Sequence, residues 1–215
     1  MICVSIAEPT VDKCIMALAG LEMAEIRLDK LAMAERDKAN RIFAQPLKLI
    51  ATCRPEAGDE KIRKKMLLDA IEAGASFVDI EVETSDEYKR EILVKAKTKN
   101  CRIIVSFHDH KKTPAKAELD QIVNWCFQSG ADIAKIACQV NSDRDNARLL
   151  GLLDNERKMV VIGMGRKGRI TRIVAPLLGS IFTFASLEKG KETAEGQLTK
   201  AELEDILKKV GDAND

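Results

Sequence analysis

Charge of one sign is not in excess in this chain: 35 Lys and Arg stand against 34 Asp and Glu, a net charge of +1. That balance gives no general attraction to nucleic acid or to an anionic membrane surface. Aromatic residues are only 4% of the composition, which also argues against a nucleic-acid track. The six cysteines, at 3, 14, 53, 101, 126 and 138, form no CxxC pair and no Cys/His spacing suited to zinc. They read as reduced core thiols of a cytoplasmic protein. No apolar run approaches the roughly 20 residues of a membrane span. Met1-Ile2-Cys3-Val4 enters a strand directly and Glu8 follows soon after, so no signal peptide is expected. Linkers and low-complexity segments are missing too. With 46% apolar content, the 215 residues are expected to form one domain, 1–215. The short basic stretches 61–65, 95–99 and 111–112 are mixed with acids and read as solvated faces.

What is present is alternation. Short β-rich runs occur at 2–6, 23–29, 48–52, 77–82, 101–107, 132–137, 159–163 and 180–184. Helical patterns lie between and after them, near 10–19, 32–44, 59–73, 85–99, 115–129, 142–155, 169–178 and 199–210. Pro9 and Pro114 stand near first turns, and Gly20, Gly74 and Gly130 just past last turns. Eight β–α units at a spacing of about 25 residues predict a single (β/α)8 TIM barrel of α/β class, with a doubly wound open sheet as the alternative.

Parallel strands covered by helices should be almost wholly apolar. Here polar residues recur with period two: Glu25, Arg27 and Asp29; Thr52 and Arg54; Asp79, Glu81 and Glu83; Ser106 and His108; then Lys135. Side chains two apart share a face of a strand. Ile26, Leu28, Val78, Ile80, Val82, Phe107, Ala134 and Ile136 are therefore expected to face the helices. The polar set points into the barrel, toward the C-terminal rim where such folds keep their sites. Some barrels have charged layers that only pair internally, and that reading stands beside the functional one.

Lys135 lies in the middle of an apolar strand, Asp132-Ile133-Ala134-Lys135-Ile136-Ala137. A buried ammonium must be paired, here with Asp79 or Glu81, or give up its charge for chemistry. A neutral amine adds to a carbonyl and forms a Schiff base. His108, one of two histidines, ends the neighbouring strand and suits a general acid–base. His110, two residues on, is expected to be solvated. Gly163-Met164-Gly165-Arg166-Lys167-Gly168 matches GxGxxG, but no acidic residue ends the next strand where a ribose would need one. The stretch reads as a phosphate site or, with better support, as a tight loop that sets Arg172. Arg27, Arg54 and Arg172 all reach the inferred rim, and a guanidinium suits bidentate capture of a carboxylate.

These residues, taken in order, resemble the type I 3-dehydroquinate dehydratases over nearly the whole chain. The resemblance rests on Glu25-Ile26-Arg27-Leu28-Asp29, Thr52-Cys53-Arg54, Ser106-Phe107-His108-Asp109 and the Lys135 strand. It continues through Met164-Gly165 with Gly168, Thr171-Arg172, Gly179-Ser180-Ile181-Phe182-Thr183-Phe184 and Gly196-Gln197-Leu198. It implies dehydration of 3-dehydroquinate to 3-dehydroshikimate in the shikimate pathway of aromatic amino-acid biosynthesis. It also implies a homodimer and no metal or cofactor. Lys135 resembles the imine lysine, His108 the acid–base and Arg172 the carboxylate-binding arginine. Glu25, Arg27, Arg54 and Gln197 resemble the residues that bind the hydroxyls and fix the ring, and Met164 and Phe184 those that line the pocket. The glutamate beside the histidine usually follows the arginine matching Arg54 by four residues. Here Arg54-Pro55-Glu56-Ala57-Gly58 offers Glu56, two residues nearer. A loop that is usually Ser-Ala-Pro-Gly-Gln reads Thr193-Ala194-Glu195-Gly196-Gln197, which keeps a hydroxyl at Thr193 but loses the proline, so a more mobile lid is expected. Thr171 replaces the usual serine. A Schiff-base aldolase acting on a phosphorylated sugar is the alternative, with 163–168 as its phosphate site. A catalytically silent barrel that binds a small carboxylate or a protein partner is the rival from another class.

Overall fold

The period-two pattern separates into two faces in the computed structural model of the chain, which describes residues 1–55 and 58–211. Eight parallel strands form the sheet: β1 (Ile2–Ile6), β2 (Met23–Arg27), β3 (Lys48–Thr52), β4 (Phe77–Glu81), β5 (Arg102–Asp109), β6 (Ile133–Gln139), β7 (Met159–Met164) and β8 (Thr183–Ser186). Their order is β7-β6-β5-β4-β3-β2-β1-β8, the winding of a barrel cut at one seam. The seam is drawn together where Ile181 N–H donates to the Met159 carbonyl at 2.9 Å. The fold is the expected (β/α)8 barrel.

The helices are α1 (Val11–Ala17), α2 (Asn40–Phe43), α3 (Glu60–Glu72), α4 (Asp86–Thr98), α5 (Lys116–Gln128), α6 (Asp143–Leu150), α7 (Arg169–Leu177) and α8 (Lys200–Gly211). Several start where the sequence supplies an oxygen for free amides. Thr10 accepts from Lys13 N, Ser85 accepts from Tyr88 N, and Ser142 with Asp145 forms a capping box. Ile26, Leu28, Val78, Ile80, Val82, Ala134 and Ile136 are all buried in the layer between strands and helices. Phe107 packs against that layer. Burying such a side chain contributes roughly 1.5–3 kcal/mol, so a one-residue slip that turned these chains inward would be costly.

Four expectations are corrected. Strand β8 begins at Thr183 rather than at 180. Residues 180–182 bridge the seam instead, with Ser180 Oγ accepting from Val161 N at 3.4 Å. The span 32–44 is a 3-10 segment, Met33–Lys38, followed by the single turn of α2. That segment is tied to the start of α1, because Glu35 accepts from Val11 N at 3.0 Å. Helix α6 ends at Leu150 and continues only as a 3-10 turn, Gly151–Leu153, where glycine weakens the helix. Strands β5 and β6 run two residues beyond their expected ends, because His108 pairs with Ala137 and Asp109 with Cys138. His108 is thereby held on a strand and not on a loop.

Candidate active site

The floor of the barrel is apolar. Cys3, Ile50, Phe77, Ile104, Ile133, Val160 and Phe182 form a buried cluster separate from the layer under the helices. All six cysteines are buried free thiols, as expected. Above this floor the interior becomes polar and opens into a cavity of about 730 Å³. Glu25, Arg27, Arg54, His108, Lys135, Met164, Arg172, Phe184, Thr193 and Gln197 all line it. Of the expected site residues, only Glu56 is not among them; it lies outside the described residues.

Lys135 is 4% exposed and points inward. Its Nζ donates to Asp79 Oδ2 at 2.8 Å and lies 3.6 Å from Glu25 Oε1. The Phe184 ring centroid is 4.4 Å from the same nitrogen, so a π face covers the amine on one side. The pairing partner is thus Asp79 with Glu25, and not Glu81. Asp79 also holds Arg54 with both oxygens, at 3.1 and 3.0 Å, and accepts from Ser106 Oγ at 2.6 Å. Burial alone would raise its carboxyl, but Arg54, Lys135 and His108 outweigh that and hold it well below the usual range. Glu25 accepts from Ser5 Oγ at 2.8 Å and Thr52 Oγ1 at 2.9 Å. Burial pushes Glu25 up as well, and Lys135 and Arg54 reverse the sign.

His108 is half-buried on the cavity wall, two residue pairs further up the barrel than Lys135. Burial, then the cations Arg54 and Lys135, drive its imidazole well below 6.5. It is neutral at pH 7 and free to accept a proton. His110 is exposed, as expected, yet it also borders the cavity and its ring stacks on His108 at 6.2 Å and 12°.

The arginines divide into two kinds. Arg27 is closed on Asp29 by two bonds of 2.9 and 2.7 Å, and Arg54 is closed on Asp79 and Glu81. Both guanidiniums already face carboxylates of the protein. Arg172 has no carboxylate partner among the described residues. It is 1% exposed, donates through Nη1 to the Phe184 carbonyl at 3.3 Å, and has Nε and Nη2 without partners. Burial and then Arg169 lower it to about 10, so it stays cationic at neutral pH. A buried cation with two idle donors has unused capacity for an anion.

The glycine-rich stretch places that arginine. Gly168 packs on Gly163 so closely that a Cβ there would meet the Gly163 carbonyl carbon at 2.4 Å. Thr171 Oγ1 accepts from Gly163 N and donates to Gly168 O, both at 2.7 Å. Gly165 N–H goes to Glu195 O and Gly168 N–H to Gly165 O. These three amides are spent inside the protein and do not cradle a phosphate. The loop at 193–197 is folded on itself: Gln197 Oε1 accepts from Thr193 N at 2.7 Å and from Ala194 N at 3.4 Å.

One cavity residue was not legible as such from the basic run 61–65. Arg63 is 7% exposed, not solvated, and contacts Glu81 Oε2 at 2.9 Å. Its signal was in the helix period: Arg63, Met66, Leu67, Ala70 and Ile71 form one buried stripe of α3. Ser5, bonded to Glu25, was also missed, since a serine in a short apolar strand has no distinguishing pattern.

A (β/α)8 barrel with a buried amine, a neutral imidazole and an idle guanidinium around one cavity at its mouth defines a barrel enzyme acting on a small polar molecule. Comparison with known proteins narrows the class. Residues 2–214 match the type I 3-dehydroquinase family. The chain is similar to a 3-dehydroquinate dehydratase of Methanocaldococcus jannaschii, 37% identical over 96% of this chain and 97% of that one. Among solved structures, a type I 3-dehydroquinate dehydratase from Clostridium difficile superposes with a TM-score of 0.86 at 24% identity, covering 99% of this chain and 92% of the other. The 3-dehydroquinate dehydratase from Aquifex aeolicus gives 0.83 at 26% identity, over 97% and 98%. The chain belongs to the type I 3-dehydroquinase family.

Proposed function

We propose that this chain dehydrates 3-dehydroquinate to 3-dehydroshikimate in the shikimate pathway, with Lys135 as imine-forming nucleophile and His108 as proton carrier. The observation that carries the reading is the placement of the Lys135 amine: buried, inward, under Phe184, and in one cavity with His108 and Arg172. Arg172 receives the substrate carboxylate and so fixes which end of the ring faces Lys135.

Lys135 rests as a partner of Asp79 and must lose a proton before it attacks. The neutral His108 accepts protons at that stage. Lysine nitrogen then bonds to the C3 carbonyl carbon, and His108 returns its proton to the carbinolamine oxygen, which leaves as water to give an iminium and a neutral imidazole. That cation acidifies the neighbouring C2 hydrogen, which His108 removes as a proton, leaving an enamine. Collapse of the enamine breaks the C1–oxygen bond, and protonated His108 supplies the proton that lets hydroxide leave as water. Hydrolysis of the remaining iminium frees the product ketone and the amine. Glu25, held by Ser5 and Thr52, and the 193–197 loop with Thr193 and Gln197 are assigned to the substrate hydroxyls. Met164 and Phe184 form the apolar wall that keeps the ring in place.

A homodimer and cytoplasmic residence belong to the same reading and rest on the resemblance. Among the described residues, no helix is long and apolar enough to cross a membrane.

The test is borohydride reduction in the presence of 3-dehydroquinate, followed by peptide mass mapping. The expected adduct is on the peptide containing Lys135, and Lys135→Met forms none and loses activity by many powers of ten. An unmodified lysine in the wild-type enzyme during turnover would remove the imine route.

A further inference from the structure

The cavity wall contains a cation contributed by a helix, Arg63, whose function the reaction sequence does not assign. Arg63 Nη2 donates to Glu81 Oε2 at 2.9 Å, while Arg63 Nε donates to the Cys53 carbonyl at 3.1 Å. Its guanidinium also lies 5.9 Å from the Tyr88 ring centroid. The other oxygen of Glu81 accepts from Arg54 Nη1 at 2.6 Å. Arg54 in turn grips Asp79 with both terminal nitrogens, and Asp79 Oδ2 accepts from the Lys135 amine. An unbroken chain of charge-assisted bonds therefore runs from α3 to the reacting nitrogen: Arg63, Glu81, Arg54, Asp79, Lys135.

The charges along it alternate in sign. With Glu25 included, three carboxylates face three cations, so the cluster is neutral only while Arg63 is present. The geometry is fixed at the far end by a backbone atom. The Cys53 carbonyl adjoins Arg54, so Arg63 is anchored to the same segment whose guanidinium it helps to aim. Glu81 is the shared element, because each of its oxygens is committed to a different arginine.

We propose that Arg63 is a positioning residue for the dehydration: it holds Glu81, and through it Arg54 and Asp79, so that the Lys135 amine is aimed at the substrate carbonyl. The inference rests on the imine reading above and adds a residue to it. Arg63 does not border the amine itself, so its removal acts on the rate of the chemical step more than on substrate capture, which belongs to Arg172. Arg63→Met lowers kcat about tenfold with KM changed less than about twofold, the scale of one buried charge-assisted bond. Arg63→Lys restores most of kcat, because an ammonium can still reach Glu81.

The experiment measures kcat, KM, thermal midpoint and the rate of borohydride-trapped adduct formation for Arg63→Met, Arg63→Lys, Glu81→Gln and the Arg63→Met/Glu81→Gln pair. If Arg63 acts through Glu81, the double variant is no slower than Glu81→Gln alone, the signature of a shared pathway. Multiplicative losses, or an Arg63→Met enzyme with wild-type kcat and adduct rate, overturn the inference. Should Arg63→Met fail to fold, Arg63→Gln, which also removes the charge, takes its place in the cycle, and multiplicative losses there have the same meaning. Wild-type enzyme with no adduct on Lys135 overturns the imine reading and this inference together. A wild-type adduct with indifferent Arg63 variants overturns this inference alone.

Discussion

Lys135 and Asp79 meet inside the barrel with Nζ 2.8 Å from Oδ2, although β5 separates their two strands. One carboxylate there serves two buried cations, since Asp79 also binds Arg54 at 3.1 and 3.0 Å. Removing one partner of a buried ion pair leaves an uncompensated charge and costs about 3–5 kcal/mol. Asp79→Asn should therefore lower the urea midpoint strongly at neutral pH. The sign with pH follows from the depressed carboxyl. Its stabilising effect is complete above the unfolded value of about 3.9 and fades only as pH falls further toward the folded value. The variant's deficit should shrink below about pH 4; a deficit that persists unchanged at acid pH counts against the electrostatic account.

His108 behaves in the opposite compartment of the pH scale. Its folded value lies well below 6.5 because burial, Arg54 and Lys135 all disfavour the imidazolium. The unfolded chain takes up a proton first, so this contribution is complete above about pH 6.5 and declines as pH falls below it. His108→Gln should abolish that decline, measured as the difference in unfolding midpoint between about pH 7.5 and about pH 5. It should also reduce kcat by about 10²–10⁴. Equal pH dependence in both proteins would show that the imidazole titrates normally.

Arg172 should separate binding from stability. Two of its nitrogens have no partner, so the folded state gains little from its charge. Arg172→Met is expected to raise KM by about a hundredfold. Its unfolding free energy should fall by no more than about 1 kcal/mol, or rise. An unchanged KM would move the carboxylate site elsewhere.

Gly196 should reveal what the 193–197 loop does. It sits at φ +82°, and a Cβ there would meet the Gly165 carbonyl oxygen at 2.4 Å. Gly196→Ala must push the loop off the glycine-rich turn, which displaces Thr193 and Gln197 from the cavity. KM should rise about tenfold while the thermal midpoint moves little, as for local strain in a surface loop. A large fall in the midpoint with normal KM would make the contact architectural.

Much of the site was legible because a strand has period two. Glu25, Arg27, Arg54, Asp79, His108 and Lys135 could be assigned to the lumen from their spacing alone, and all of them line the cavity or meet there. Arg63 was legible in principle from the stripe it shares with Met66, Leu67, Ala70 and Ile71, but the surrounding basic run obscured it. Which arginine is left without a carboxylate partner was not legible. Arg27, Arg54 and Arg172 are chemically alike, and only the position of Asp29, Asp79 and Glu81 around the barrel decides between them.

The sequence by itself determined the barrel, its inward and outward faces, and the residues that could carry the chemistry, since these follow from local periodicity and composition. Tertiary structure alone decided the partners: Asp79 with Lys135 across an intervening strand, Arg63 with Glu81 from helix to sheet, and Arg172 with two donors unclaimed. The reason is distance. A charge pairs with whatever lies within a few ångströms of it, and in a closed barrel those neighbours come from strands and helices far apart in the chain.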